Sequence, residues 1–440
     1  QLDSRPLAGG SWRIKKSVKD ELLANPLRPT STGFGTFHNS QFLRQDSFEK
    51  TDWRMNARNT SVSGQGKIDV NTGPSVNLTF GGSLNYSRGN NYSYSGSLLN
   101  FGNFGYFENF DWRVFGRLTQ RFNNNDPESS SKIKSAYYSL MVDYSKVRRD
   151  NYDPNHEYNL FNYGHVGRFT TTRRRSHSLN PSTNNYEHDG FRDVLVEFEP
   201  SETNSALAAI TSQYFSIYEG LPEGRFENLV QIQQGSGLLN GDSPRNVYNI
   251  WSNIGAPFNG FGVFENDQFR VTGSGSANIG DHSISVGFEF ERRWDRGWTN
   301  GTTSSGAGQG PVGLWQIARQ LANFHITELD VNQATLVDSL GRVYVNYERL
   351  NTVWAYLNNS DEYGGQVNND NQSFFDYNLR QYLFEQGLIS EGVRGTDFID
   401  VDQYDPNIYS LDMFSPDELL NQGNSFVSYY GFDHTGQKVR

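Results

Sequence analysis

The 440-residue chain contains no cysteine, which excludes a disulfide framework and thiolate metal sites. It also has no apolar run near the ~18 residues that a spanning helix needs, so a helical membrane protein is excluded. Cations are outnumbered, with 38 Lys plus Arg against 49 Asp plus Glu, and a net charge of −11 gives no footing for nucleic-acid binding. No apolar stretch follows Arg13, Lys15 and Lys16, so no signal peptide is visible behind Gln1. There is no G-x-S-x-G elbow, and scattered Asp and Glu offer carboxylate pairs only by chance, so the chain reads as a non-enzyme. The eight histidines include His156, His165, His177 and His188, none at H-x-x-x-H or H-x-H spacing, which argues against zinc. No cofactor is implied.

What is present is alternation. From Ser75 to Tyr86, Val76, Leu78, Phe80, Leu84 and Tyr86 occupy one parity, and Ser75, Asn77, Thr79, Ser83 and Asn85 the other. Strand side chains point to alternate faces, so one surface is apolar and the other polar. About 11 residues at ~3.3 Å, tilted ~45°, span roughly 25 Å, the height of the apolar band of an outer-membrane barrel. The pattern recurs where Trp112, Val114, Leu118 and Phe122 alternate with Arg113, Arg117, Thr119 and Arg121. It recurs in Tyr138, Leu140, Val142 and Tyr144, although Tyr137 and Met141 blur that polar face. Phe269, Val271 and Ala277 repeat it, and Ile284, Val286, Phe288 and Phe290 alternate with Ser283, Ser285, Glu289 and Glu291.

Connections come in two lengths. Asn71-Thr72-Gly73-Pro74 and Asn278-Ile279-Gly280-Asp281 are tight turns, whereas Glu219 to Asn266 and everything after Arg293 are long, polar and rich in Gly, Asn and aromatics. Short turns on one rim and long loops on the other are the outer-membrane barrel pattern. Candidate strands are Val62 to Val70, Ser75 to Tyr86, Phe110 to Phe122, Lys132 to Tyr144, one or two between Leu160 and Phe198, Ala206 to Tyr218, Asp267 to Asn278 and His282 to Glu291. The fold class expected is all-β: a partial antiparallel transmembrane β-barrel of about eight strands from a larger barrel. Residues 1–60 form a lead-in, 61–293 the barrel strands, and 294–440 a long extracellular loop region with short helices. The helical signals are Leu314, Ile317, Ala318 and Leu321 after Pro311, then Phe375, Leu379, Tyr382 and Leu383 before Gly387, and a capping box at Ser415-Pro416-Asp417-Glu418 closed by Gly423.

Four loop segments carry a family resemblance: Glu227-Asn-Leu-Val-Gln-Ile-Gln-Gln-Gly235, Leu238-Leu-Asn-Gly-Asp-Ser-Pro244, Gly313-Leu-Trp-Gln-Ile-Ala-Arg-Gln-Leu321 and Leu419-Leu-Asn-Gln-Gly-Asn-Ser425. From about Ser61 onward the chain resembles TonB-dependent outer-membrane receptors of the type with an N-terminal carboxypeptidase-regulatory-like domain. That resemblance implies a plugged barrel of about 22 strands in the outer membrane of a Gram-negative bacterium. Such a barrel takes up a ligand too large for porins with energy from the TonB system. The plug, the energy-coupling box and a C-terminal strand set are not visible in this sequence, so the resemblance implies the N-terminal part of a barrel domain. Two other function classes stay open: a non-transporting outer-membrane barrel with adhesive or structural loops, and a soluble secreted polysaccharide-binding β-protein.

Arg113, Arg117 and Arg121 on the polar parity of one strand, and Glu289 and Glu291 on that of another, are the candidate lumen residues facing a plug or ligand. Ordinary barrel lining with mutual ion pairs is the simpler reading of the same charges. Tyr92, Tyr94, Phe101, Phe104, Tyr106 and Phe107 suit an interfacial aromatic girdle or, alternatively, stacking on sugar. Asp400, Asp402 and Asp405 space oxygens as calcium would need, but without the Gly and Glu of an EF-hand, so no metal site is assigned. Gly273-Ser274-Gly275 and the stretch from Gly301 to Gly310 are small-residue strand and loop positions rather than a phosphate loop. Outer-membrane lipid, the TonB system and a small-molecule, glycan or peptide ligand are the expected partners.

Overall fold

The alternating segments find one another. The computed structural model describes residues 11–33, 35–123, 132–182, 184–220, 225–301, 310–323, 335–337, 343–345, 372–390, 398–420 and 426–439. Its lead-in holds β1 (Ser11–Ile14), α1 (Lys16–Ala24), β2 (Leu27–Pro29), β3 (Thr36–His38) and β4 (Phe48–Thr51), paired as β1 with β4 and β2 with β3. Six long strands follow: β5 (Asn59–Gly73), β6 (Val76–Asn90), β7 (Tyr106–Asn123), β8 (Ile133–Tyr152), then, beyond a hairpin of β9 (Gly167–Asn180) and β10 (Asn185–Pro200), β11 (Phe261–Ile279) and β12 (His282–Asn300). Two three-residue strands, β13 (Thr335–Val337) and β14 (Val343–Val345), pair with each other, and β15 (Val427–Tyr430) closes the series.

One antiparallel sheet runs in the order β5, β6, β7, β8, β11, β12, β15. It is open among the described residues: β5 has a neighbour on one side, and β15 covers β12 only from Gly297 to Asn300. The hairpin turns lie at one end, where Gly280 takes φ +59° between β11 and β12. All the long excursions, after β6, β8 and β12, leave from the other end.

The register aligns the alternations into two unlike faces. One face carries Val62, Ile68 and Val70 of β5, Phe80 and Leu84 of β6, Phe110, Val114 and Phe122 of β7, and Tyr138, Leu140 and Val142 of β8. It continues through Phe269 and Val271 of β11 to Ile284, Val286, Phe288 and Phe290 of β12. These side chains are largely exposed, Val286 at 69% and Ile68 at 68%. Glycines make room for the rings: a Cβ on Gly273 would come within 2.1 Å of its register partner Phe288.

Beyond the band the strands run on. β11 starts at Phe261 and β12 reaches Asn300, so the loops expected from Glu219 to Asn266 and after Arg293 are shorter than the sequence suggests. Alternation fades there because paired charges replace apolar residues: Arg296 reaches Asp267 at 2.6 Å and Arg148 reaches Glu265 at 3.3 Å. The expected strand over Ala206–Tyr218 is instead the helix α2 (Ser205–Tyr218), burying Leu207, Ile210, Thr211, Tyr214 and Tyr218 at a spacing of three to four. The segments between Leu160 and Phe198 make the β9–β10 hairpin, which among the described residues pairs only with itself and does not join the large sheet. Among the described residues the large sheet therefore holds seven strands, six long and one short, where about eight were expected.

The helices expected from sequence are in place. After α3 (Leu229–Gln234) come α4 (Gly313–Leu321), α5 (Phe374–Glu385) and α6 (Pro416–Leu420). Ser415 and Glu418 cap α6 reciprocally, the Glu418 N–H donating to Ser415 Oγ and the Ser415 N–H to Glu418 Oε2. Gly423 and the residues near Gln1 lie outside the described residues, as do 302–309. Trp315, Phe375, Leu379 and Phe414 form the largest core beyond the loop end of the sheet, and α2 with Phe169 and Val196 a second. In the third, Ile14 and Leu22 of the lead-in meet Leu99 and Ile254.

Buried charge fixes this body. Arg380, 1% exposed, holds fully buried Asp376 at 2.8 Å, and its guanidinium also donates to Asn323. Replacing Arg380 with Met strands the carboxylate, and such a loss costs about 3–5 kcal/mol. Thermal unfolding read through the loop-body tryptophans should drop sharply in this variant and far less in the double change with Asp376→Leu.

Two histidines give the body a pH dependence. His165 stacks on Trp315 at 5.5 Å, is 2% exposed, and burial pushes its pKa down to about 4; buried His38 is lowered to about 4 by burial and by Arg245. Between pH 6.5 and 4 the unfolded chain binds protons that the folded one refuses. Stability is therefore full above pH 6.5 and falls toward pH 4 by roughly 3 kcal/mol per histidine. Chemical denaturation across that range should show this decline, about halved in His165→Phe, where His38 still contributes; a pH-independent wild type would contradict it.

Candidate functional site

The second face of the sheet is polar, and parity places all five sequence candidates on it. Arg113, Arg117 and Arg121 stand along β7, and Glu289 and Glu291 along β12. Arg117 and Glu289 share a lane, through Met141 and Thr272, but three strand spacings separate them, about 14 Å. Among the described residues no ion pair joins these five to one another; the pairs on this face, such as Arg113 with Asp143 and Lys67 with Asp69, are of the kind that the simpler reading expected.

The charge centre of this face is a residue that was not singled out. Asp143 of β8, 3% exposed, accepts from Arg113 Nε at 3.0 Å on one oxygen and from Arg270 Nε at 3.0 Å on the other. Glu291 is the register partner of Arg270, so Asp143 and Glu291 flank that guanidinium. The blurred positions of β8 also have roles: Met141 Sδ lies 3.4 Å from Arg117 Nη2, and Tyr137 sits opposite Arg121. Parity marks Asp143 and Arg270 as polar, but only register reveals that they meet.

Two cavities open along this face. One, of about 510 Å³, is lined by Ser63, Gln65, Ser83, Asp111, Arg113 and Ser145. The other, of about 550 Å³ near the loop end, has Phe107, Asn109, Arg149, Asn151 and Phe258 in its walls, with Arg149 over the Phe264 ring. Amides, hydroxyls, rings and one or two cations suit a polar ligand held by several weak contacts.

The loop aromatics serve internal contacts. Tyr92 meets Phe104 edge-on at 5.5 Å, Tyr94 meets Trp251 at 5.1 Å, and Lys19 lies over Phe101. Phe107 falls on the polar face, and Tyr106 pairs with Tyr152. The rings that border the apolar face at its loop side are Tyr86, Phe110, Trp112, Tyr144 and Trp294, set there by register.

The acidic loop is spoken for. Asp402 takes a double contact from Arg319 at 2.6 and 3.0 Å and one from the Asn240 amide at 2.9 Å. Asp400 lies 3.4 Å from Arg173, and Asp405 caps the turn at Asn407. His156 bonds Asn204, and His177 and His188 are backbone register partners. Asn240 also bonds the backbone of Val166 and Gly167, so two of the resembling segments, 238–244 and 313–321, meet around one buried knot.

No family model, curated protein or solved structure matches this chain. Among the described residues, no helix is long and apolar enough to cross a membrane, which leaves strands untouched.

Asp143→Asn removes the charge between two guanidinium groups. Unfolding free energy should fall by about 1–3 kcal/mol, with part of the loss recovered when Arg270→Gln is added. A double-mutant cycle measured by denaturant titration checks this; additive losses would mean that the triad is not coupled.

Proposed function

We propose that this chain forms membrane-spanning wall and outer loops of a TonB-dependent receptor in the outer membrane of a Gram-negative bacterium. Its role in this reading is uptake of a ligand too large for porins, along the polar face. The observation that carries the membrane half is the exposed apolar face. It crosses five strand spacings from β5 to β12, about 24 Å, and its band is about ten residues tall on β7. Water-soluble monomers rarely expose one continuous apolar patch of more than a few hundred Å². Leaving it in water forgoes roughly 1 kcal/mol for each half-exposed side chain, on the order of 15 kcal/mol in all. That rivals the whole stability of a typical domain.

Connections of two lengths support the same reading, with the long segments after β6, β8 and β12 all leaving from one end of the sheet. The transport half rests on the resemblance of the four loop segments. The polar ligand path of this reading runs along Arg113, Arg117, Arg121, Glu289 and Glu291; of these, Arg113 lines one of the two cavities of that face.

The cysteine-free sequence makes a clean test possible. In lipid bilayers, single cysteines at Val114, Val271 or Phe288 should resist a membrane-impermeant maleimide, and those at Ser139, Thr272 or Ser274 should react. Equal labelling of both sets would contradict the reading.

A further inference from the structure

The apolar face does not end in plain water. Along β11 the side chains on that face run Val271, Phe269, Asp267, Glu265, Val263, Phe261, from the band into a cavity of about 540 Å³. Its aromatic wall is Phe261 and Trp298, 5.5 Å apart, with exposed Tyr158 edge-on to Phe261 at 5.2 Å. Tyr409 completes it, donating to the Val401 carbonyl at 2.6 Å; burial raises its phenol well above the ordinary value, so it stays protonated. Inside, Glu265 is 1% exposed and bracketed by Arg148 at 3.3 Å and Lys438 at 2.6 Å. Asn159, Asn162, Asn407, Asp412 and Gln437 supply a polar rim.

Between cavity and band lies a cationic belt. Asp267 is shared by Lys146 at 3.7 Å and Arg296 at 2.6 Å, and exposed Arg292 lies over the Trp294 ring at 4.2 Å. Arg292 has no ion pair among the described residues. With Arg148 and Glu265 in the lane of Arg296, four cations thus face two carboxylates at the edge of an apolar surface, the setting that recruits anionic headgroups. Glu265 and Phe269 stand four residues apart, about 13 Å, so one ligand that touches cavity, belt and band must be long and amphipathic.

We propose that the cavity and belt form a binding site for a phosphorylated glycolipid. Its sugar headgroup occupies the aromatic cavity, its phosphates meet Arg292, Arg296 and Lys146, and its acyl chains lie on Phe269, Val271, Phe288 and Phe290. Rings with amide and carboxylate groups suit the sugar, and the belt supplies charge-assisted donors to phosphate. This site rests on the membrane reading of the opposite end of the same face.

The test reconstitutes the 440-residue chain with a bisphosphorylated glucosamine-disaccharide lipid, its dephosphorylated form, or phosphatidylglycerol, and counts retained lipid by native mass spectrometry. Vesicle flotation is scored on the same preparations. The phosphorylated glycolipid should be held at least tenfold better than either comparison lipid, and Arg292→Glu with Lys438→Glu should remove that preference while flotation persists. A chain that floats but holds all three lipids alike, or a variant that keeps the wild-type preference, overturns this site alone. A chain that does not float overturns the membrane reading and this site with it.

Discussion

A sheet whose two faces cannot share one solvent is the constraint on which the rest depends. Antiparallel register lines up Leu118, Leu140, Gly273 and Phe288 in one lane and Arg117, Met141, Thr272 and Glu289 in the lane one residue away. A one-residue slip would exchange every member of the two sets. Tight turns at one end hold that register, and Gly280 at positive φ is where β11 and β12 are locked together. Backbone groups are satisfied within the ladder, so the sheet can leave water only if its edges are also paired.

The loop body solves a different problem. Its residues come from distant parts of the chain, and it substitutes buried ion pairs and amide contacts for long regular elements. Arg319, Asp402 and Asn240 tie together α4, the turn after α3 and the segment before Asp405. Arg380, Asp376 and Asn323 do the same for α5 and the backbone at Ile399. Removing one member of such a set leaves a buried charge or amide unsatisfied, which is why the body is sensitive to single changes. His165, buried beside Trp315 with neither ring nitrogen bonded, adds acid sensitivity to the same core.

Period-two alternation made β6, β7, β11 and β12 legible, because within the band one face meets a single kind of surroundings. The helices α4 and α5 were legible from their spacing, and α6 from its capping box. Strand ends past the band were not, since Arg296 with Asp267 and Arg148 with Glu265 erase the alternation while keeping the ladder. The helix α2 was misread because its apolar composition fits a strand when its three-to-four spacing is overlooked. Parity correctly put Arg113, Arg117, Arg121, Glu289 and Glu291 on one face. It had no means of showing that Asp143 gathers two of the arginines of that face, or that residues 148, 261–265, 298, 406–412 and 432–438 enclose one cavity.

The central claim is that the apolar face of the large sheet lies against lipid. Polarised infrared spectroscopy of the chain in oriented bilayers, after an alkaline wash that strips peripheral protein, measures it most directly. The account predicts that the chain stays with the lipid and that its strands tilt by about 45° from the bilayer normal. Release of the chain by the wash, or retained strands without preferred orientation, would contradict it.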